Sequence, residues 1–366
     1  MNGGADAGAR AAARGPARTA TDDARRQAIR AAWLRTNDRR VPFFIEAGEN
    51  VKATRALLDD PARDLALQER LLDAAASIDD DGLPSLKPNL GIGVMATAFG
   101  CPHVLDEATD PWVKPIITDA NPSDALAVRV PDALHDGLLP LALERVRFFR
   151  ENGRYPLRCV NLPSPLLTAS LVWEYGSFLA ALLEHPREVH ALLERITEGT
   201  LAFLRAERAA IGDLFGWTHE SVWIPPDVAL RLSDDVAAVL SADLYREFGV
   251  RYNNAFAGET GGLVIHSCGD VTRSLPAMLE TERLVGIDIV APQNDLGKVR
   301  DLAGGRAALC LRYFDWDFPV GQRVSLRDYG LRLVERFGER GTLLWTHTPT
   351  VEEGQELARS MRSALG

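Results

Sequence analysis

A histidine and a cysteine that follow a short apolar run have the spacing of a metal-binding pair. Leu263, Val264 and Ile265 form the run, and His266 and Cys268 stand two positions apart just beyond it. Side chains alternate between the two faces of a β-strand, so this imidazole and thiol would point the same way. Both are ligands that Zn²⁺ prefers. The pair therefore indicates a zinc site, although a buried cysteine can also be a small, inert hydrophobic residue.

The residues after this pair indicate a strand-to-helix junction. Gly269 follows at once, Asp270 stands where a helix N-cap is expected, and residues 271–282 have the pattern of a helix. In α/β barrels the active groups lie at this end of the strands. We therefore expect the chemistry of this chain at the carboxyl ends of its strands.

Short apolar segments alternate with helical patterns along most of the chain. Eight of them are predicted to be strands, at 41–46, 82–87, 157–161, 221–224, 263–266, 286–290, 307–313 and 342–346. Eight short strands with helical connections predict an α/β fold of the (β/α)8 TIM-barrel type rather than a doubly wound sheet. No Gly-x-Gly-x-x-Gly motif or phosphate-binding loop follows a strand, which argues against the nucleotide-binding α/β folds.

The pattern also predicts the domain organisation. Residues 1–22, rich in Ala, Gly and Arg, are expected to be a flexible amino-terminal tail, and residues 23–366 a single barrel domain. The segment 88–132 is the longest connection without a helical pattern. Long connections in compact domains are usually functional, so this one is expected to form a lid or a pocket wall.

Composition excludes several classes of function. The chain has 366 residues, a formal net charge of −10 and a pI near 5.3, which argues against nucleic acid or an anionic membrane as the partner. The four cysteines show no paired spacing, so a reducing, cytoplasmic setting is expected. No apolar run is long enough to span a membrane, and the amino terminus lacks the apolar segment of a signal peptide.

Polar residues at the ends of the predicted strands are the candidate site residues, because these ends share one pocket in a barrel. The candidates are Glu46, Glu49, Asn161, Asp227, His266, Cys268, Gln293, Asp315 and His347. Asp80 joins them only if the second strand is misplaced. His347 is the preferred third metal ligand, because the last strand of a barrel lies against the first. Cys310, in the middle of the seventh strand, is the competing ligand.

Several motifs together resemble the uroporphyrinogen decarboxylase superfamily, over about residue 38 to the carboxyl terminus. They are His266-Ser-Cys-Gly-Asp270, Pro292-Gln293, Trp345-Thr-His-Thr-Pro349 with Glu352-Glu353, Ser164-Pro165-Leu-Leu-Thr168, Glu174-Tyr-Gly176 and Glu184-His-Pro186. The resemblance implies a single (β/α)8 barrel. It also implies one of two chemistries. One is metal-free decarboxylation of porphyrinogen acetates, and the other is zinc-dependent transfer of a methyl group from a corrinoid protein to a thiol.

The motifs fit the decarboxylase branch only in part. That branch binds substrate carboxylates through an arginine-rich motif near its amino terminus, where this chain has Glu46-Ala-Gly-Glu-Asn50. The decarboxylase tyrosine is matched by Leu171, which cannot donate a hydrogen bond. Asp80 and His347, however, match the aspartate and histidine of the decarboxylase.

The methyltransferase branch is matched at the metal pair. His266 and Cys268 correspond to its His-x-Cys, but its further cysteine near strand eight is absent, and His347 stands there instead. The resemblance thus implies Zn²⁺ held by His266, Cys268 and His347, with Glu46 or Asp227 as a fourth, oxygen ligand. One thiolate in place of two makes the site less electron-rich, which weakens a bound thiolate as a nucleophile.

The predicted function is a zinc-dependent methyl or alkyl transferase that activates a thiol or another heteroatom. Asp80 or Asp227 would accept the proton or orient the substrate. Two alternatives stay open: a metal-free decarboxylase or lyase that uses Asp80 and His347 on a small carboxylated substrate, and a barrel that only binds a ligand. The expected partners are a small-molecule substrate, a corrinoid protein as methyl donor and a second copy of the chain in a homodimer.

Overall fold

A parallel β-sheet forms the centre of the molecule. The computed structural model describes residues 20–48, 51–105, 111–322 and 324–365. Its strands are β1 (Phe43–Ala47), β2 (His103–Val104), β3 (Trp112–Val113), β4 (Leu230–Ser233), β5 (Leu263–Ser267), β6 (Leu284–Val290), β7 (Ala308–Arg312) and β8 (Thr342–Thr348). The pair β2–β3 is a small antiparallel sheet, and the other strands form one curled parallel sheet in the order β1-β8-β7-β6-β5-β4. This is an α/β fold with the curvature of a TIM-like barrel.

Extended segments lie next to the two edge strands of this sheet, β4 and β1. On the β4 side they make single parallel bridges: Pro163 pairs with Ser233 of β4, Arg158 with Gly216, and Leu86 with Leu157. On the other edge, the backbone N–H of Asp81 donates to the carbonyl oxygen of Phe43 in β1 at 2.9 Å. The segments near 86 and 157, predicted to be the second and third strands, are therefore present as isolated bridges rather than as strands.

Helices surround the sheet. They are α1 (Ala20–Trp33), α2 (Arg55–Asp59), α3 (Pro61–Ala75), α4 (Val94–Ala98), α5 (Leu139–Asn152), α6 (Pro165–Val172), α7 (Tyr175–Glu184), α8 (Pro186–Ile211), α9 (Ala242–Tyr245), α10 (Arg251–Thr260), α11 (Leu275–Met278), α12 (Leu296–Ala303), α13 (Leu326–Phe337) and α14 (Val351–Leu365). A π-helical turn, Arg246–Val250, joins α9 to α10, and short 3-10 helices cover Pro122–Leu126, Asp235–Val239, Ala291–Gln293 and Asp315–Asp317. No helix in the described ranges combines the length and apolar character needed to cross a membrane.

Alternate residues of the strands pack on opposite faces of the sheet. Leu263 and Ile265 of β5 belong to the large core between the sheet and its surrounding helices. Val264 faces the inside of the curl, where it clusters with side chains of β1, β7, β8 and α1. The same alternation carries His266 and Cys268 to the inside, as their spacing predicts.

Helix α1 closes against the inside of the curl at the amino ends of the strands. The indole N–H of Trp33 donates to the carbonyl oxygen of Trp223 at 2.9 Å. Gly286 of β6 leaves the space for this ring, because a Cβ at that position would lie 2.6 Å from a carbon atom of Trp33. Residues 1–19 of the predicted tail lie outside the described residues. Its last three residues belong to α1, which begins at Ala20.

The structure corrects several predicted elements. Residues 221–224 are not a strand. The strand that precedes β5 in the main sheet is β4, which begins nine residues later. The predicted helix at 271–282 is reduced to α11, with Ser274 rather than Asp270 at its N-cap. The long connection 88–132 contains α4, the β2–β3 pair and a 3-10 helix. Elsewhere, α7 ends and α8 begins at His185–Pro186, and Ser241 is the N-cap of α9.

Candidate metal centre

Three potential metal ligands meet at the carboxyl ends of β4 and β5. The Nε2 atom of His266 lies 3.1 Å from Sγ of Cys268 and 3.9 Å from Oδ1 of Asp235. All three ligand atoms lie within 4.8 Å of one another, and no other three-ligand group of this kind occurs in the described part of the chain. The backbone N–H of Cys268 donates to Oδ1 of Asp235 at 2.7 Å, which fixes that carboxylate. One ion could reach all three at bond lengths of about 2.0–2.3 Å.

The other ring nitrogen of His266 faces a buried carboxylate. Its Nδ1 lies 3.0 Å from Oδ2 of Asp288, the residue beside it in the register of β5 and β6. Carboxylates in this position fix the tautomer of a metal-ligating histidine and raise its basicity. The charge of Asp288 favours a proton on Nδ1, which would leave the lone pair of Nε2 for a metal. These residues therefore fit a zinc ion.

Arg231 of β4 holds Asp288 in the ionised form. Its Nε and Nη2 both lie 2.8 Å from Oδ2 of Asp288, inside the curl of the sheet. Burial acts to raise the pKa of Asp288, but His266 and Arg231 outweigh it and hold that pKa well below its usual range. Burial and Arg231 likewise act to lower the pKa of His266, but Asp288 raises it to about 9. Without a metal the imidazole is therefore protonated at neutral pH, and a metal must displace the proton at Nε2.

A second arginine lies beside the thiol. Nη1 of Arg312, from the end of β7, is 3.8 Å from Sγ of Cys268, and the guanidinium also pairs with Asp317 at 3.2 Å. It packs over the ring of Phe314 at 5.0 Å. Arg312 therefore places a positive charge beside the sulfur atom that a metal would bind.

Asp235 is a site residue that the sequence analysis missed. It lies two residues after the end of β4, in the 3-10 helix Asp235–Val239. Its neighbour Asp234, directly after the strand, accepts hydrogen bonds from Tyr245 and Asn253. The strand Leu-Arg-Leu-Ser of β4 is too short and too polar to stand out from the sequence. The paired aspartates after it were the available signal, but the misplaced fourth strand at 221–224 drew attention to Asp227 instead.

His347 and Glu46 lie together, but outside the three-ligand group. They are register partners at the ends of β8 and β1, so the predicted contact between the last strand and the first is confirmed. Nε2 of His347 is 2.8 Å from the carbonyl oxygen of Gly48, and its ring packs 4.7 Å from that of Trp316. The Ser221 hydroxyl donates to Oε1 of Glu46 at 2.6 Å.

A cavity of about 300 Å³ opens between these two residues and the segments near 87, 158 and 220. Its charged and polar lining consists of Glu46, Gln68, Ser85, Lys87, Asn89, Arg158, His219, Glu220, Ser221 and His347. His219 connects this cavity to the metal centre, because its Nε2 lies 2.9 Å from Oε1 of Glu220 and 3.4 Å from Nη1 of Arg231. Burial lowers the pKa of His219 to about 4, so this imidazole is neutral.

Asp80 lines a neighbouring cavity of about 280 Å³, which shares Ser85, Arg158 and Ser221 with the first. Its two carboxylate oxygens accept the backbone N–H groups of Ile45 at 2.8 Å and Gly82 at 2.9 Å. Burial raises the pKa of Asp80 to about 6 despite these hydrogen bonds.

Two further candidates lie outside the three-ligand group. Asp227 precedes β4 rather than following a strand, so it sits at the opposite, amino end of the sheet, where Arg30 of α1 donates to it at 2.7 Å. The structure therefore does not bring Asp227 to the site. Cys310 faces the inside of the curl as the register partner of Asp288. Burial raises the pKa of its thiol well above the ordinary value. Glu49 lies outside the described residues.

Comparison with known proteins places the chain in a family. A curated relative, uroporphyrinogen decarboxylase from Azotobacter vinelandii, is 26% identical over 241 residues, which span 60% of this chain and 60% of the relative. A solved methyltransferase from Methanosarcina mazei matches 93% of this chain and 99% of its own length with a TM-score of 0.66. At 17% identity that likeness concerns the fold alone. The sequence model of the uroporphyrinogen decarboxylase (URO-D) family matches residues 82–309. More than half of the chain is thus covered, and the protein belongs to the uroporphyrinogen decarboxylase family.

Proposed function

We propose that this protein is a zinc-dependent methyl or alkyl transferase of the URO-D superfamily, acting on a thiol or another heteroatom nucleophile. The observation that carries the proposal is the convergence of His266, Cys268 and Asp235, with Asp288 behind the imidazole. A zinc ion bound there would act as a Lewis acid that lowers the pKa of the nucleophile. Asp235 replaces His347 as the proposed third protein ligand, which leaves one position for substrate.

The other residues of the site have supporting parts in this proposal. Asp288 and Arg231 orient the His266 ring and keep its proton on Nδ1. Asp80 is the proposed proton acceptor, since a pKa of about 6 suits proton exchange near neutral pH. His347 and Trp316 form one wall of the substrate cavity. A corrinoid protein is the proposed methyl donor, and the bridged segments near 86 and 157 are proposed to complete an eight-stranded barrel.

Metal analysis of the purified protein tests this function. We expect about one zinc ion per chain, and a loss of most of it in both Cys268→Ser and Asp235→Asn, because each variant removes one anionic ligand. Cys101→Ser is the matched control, since that buried thiol lies outside the three-ligand group and donates to the carbonyl oxygen of Leu171. Transfer of a methyl group from methylcobalamin to a thiol should fall together with the zinc content. A protein without tightly bound metal, or with metal retained in both ligand variants, contradicts the proposal.

A metal-free carboxy-lyase is the second candidate function. The observation that favours it is Asp80, whose raised pKa suits a general acid or base, near a cavity that contains His347 and Arg158. This function predicts that carbon dioxide release from a small carboxylic acid survives Cys268→Ala but not Asp80→Asn. The transferase function predicts instead that methyl transfer is lost in Cys268→Ala.

A further inference from the structure

The cavity beside the metal centre contains a buried guanidinium group with unused donors. Arg158 is more than nine-tenths buried, and within the described part of the chain its side chain makes one hydrogen bond, from Nη2 to the carbonyl oxygen of Ser85 at 3.3 Å. Its Nε and Nη1 have no hydrogen-bond partner among the described residues. Burial of the group lowers the pKa of Arg158, as expected where solvation is lost without replacement. An anion with two oxygens would satisfy this guanidinium, which pairs with carboxylates in a bidentate way.

A carboxylate with spare capacity lies in the same cavity. Glu46 accepts one hydrogen bond, from the Ser221 hydroxyl to Oε1, and its Oε2 has no hydrogen-bond partner among the residues that the structure describes. Burial and the nearby charge of Glu220 raise the pKa of Glu46. Glu220 itself is engaged by His219 at 2.9 Å and by Lys87 at 4.0 Å. No cation lies within ion-pair distance of Glu46 among the described residues, although the charges of Lys87 and Arg158 act on it from farther away.

The size and surroundings of the cavity limit what it can hold. Its volume of about 300 Å³ is at the lower end of the range for ligand pockets, which suits a molecule of a few heavy atoms rather than a polycarboxylated macrocycle. Both cationic and acidic side chains line it. A ligand with charge of only one sign would therefore leave a buried side chain of the same sign without a partner. The link through His219 and Arg231 sets the cavity beside the metal centre.

From these observations we infer, resting on the proposed transferase function, that the substrate is a small amino acid that carries a thiol. Its carboxylate pairs with Arg158, supported by Lys87, and its ammonium group pairs with Glu46. The thiol end extends towards Cys268 and His266. Binding of both charged groups orients the nucleophile before any methyl donor arrives.

Calorimetric titration of the full-length, zinc-loaded protein with three related thiols tests this inference. L-cysteine has both charged groups, 3-mercaptopropionate lacks the ammonium group, and cysteamine lacks the carboxylate. We expect L-cysteine to bind about tenfold or more tightly than either analogue, because each analogue gives up one charge-assisted interaction. Equal affinities for the three thiols would overturn the inference.

Two variants assign the charged groups to their partners. Arg158→Gln should weaken L-cysteine and 3-mercaptopropionate about tenfold and leave cysteamine unchanged. Glu46→Gln should weaken L-cysteine and cysteamine and leave 3-mercaptopropionate unchanged. Arg205→Gln is the control, since this exposed arginine pairs with Glu259 on the surface. If Arg158→Gln does not fold, Glu46→Gln alone decides, and an equal loss for all ligands in that variant would count against the inference.

L-alanine separates this inference from the proposed transferase function, because it has both charged groups and no thiol. Its binding should depend on Arg158 and Glu46 and should persist in Cys268→Ser. If the protein holds no zinc but binds L-alanine in this way, the transferase function fails and the inferred cavity specificity stands. If zinc and thiol methylation are found but L-alanine does not bind, the inference fails and the transferase function stands.

Discussion

Replacement of Asp288 by Asn separates the stability role of this residue from its role in the metal centre. The change removes the charge that faces Nδ1 of His266 at 3.0 Å and both Nε and Nη2 of Arg231 at 2.8 Å. Removal of one partner of a buried ion pair typically costs about 3–5 kcal/mol, since the other charge is left uncompensated. Loss of a carboxylate behind a metal-ligating histidine typically reduces metal affinity by about 10–100-fold. We expect both effects in Asp288→Asn.

The assay combines urea unfolding of the metal-free protein with zinc titration against a chelator of known affinity. Asp64→Asn is the matched control, because Asp64 forms a buried ion pair with Arg145 that is equally enclosed but remote from the metal ligands. The control should lose a similar free energy of unfolding and keep its zinc affinity. If Asp288→Asn also keeps its zinc affinity, while losing the same free energy of unfolding as the control, the idea that Asp288 orients His266 is refuted.

Three further predictions concern pH and packing. Zinc affinity should fall about tenfold or more for each pH unit below 9, because a proton on Nε2 of His266, whose pKa is about 9, competes with the metal; a flat profile in chelator-competition titrations would contradict this. Glu207 has a pKa raised to about 8 by burial, so the folded state holds a proton that the unfolded state loses above its ordinary pKa of 4.5. The stabilisation that comes from this bound proton is fully present below pH 4.5 and is lost as the pH rises through 8. Glu207→Gln should therefore make the free energy of unfolding less dependent on pH, as measured by unfolding curves at several pH values. Gly286→Ala should destabilise the protein by about 1–3 kcal/mol in thermal unfolding, since the new Cβ would meet Trp33 at 2.6 Å; an unchanged melting temperature would mean that α1 moves aside freely.

The strands with strong apolar patterns were predictable, and so was the orientation of the candidate metal ligands on one of them. Period-two alternation after the run at Leu263 correctly put His266 and Cys268 on the same face. The predicted contact between the last strand and the first is likewise confirmed, because Glu46 and His347 are register partners. In these places local pattern and tertiary packing agree, so the sequence is informative.

The missed residues are those whose environment is tertiary. Arg231 and Asp288 are charged residues within strands, and each is tolerated inside the curl only because the other neutralises it. Arg231 interrupts the apolar pattern of β4. Val222, Trp223 and Ile224, by contrast, are apolar and pack inside the curl with α1 without forming a strand. Apolar character predicts burial, but it does not by itself distinguish a strand from a buried loop. That single error moved the candidate acid from Asp235 to Asp227.

The fit between Gly286 and Trp33 has an evolutionary consequence. Gly286 has no side chain, and the ring of Trp33, more than two hundred residues earlier in the chain, occupies the space that a side chain would fill. Relatives in which a larger residue replaces this glycine should carry a smaller residue in place of the tryptophan, and the two columns of an alignment should covary. Such covariation would identify the chains whose first helix docks in the same way, even where their catalytic residues differ.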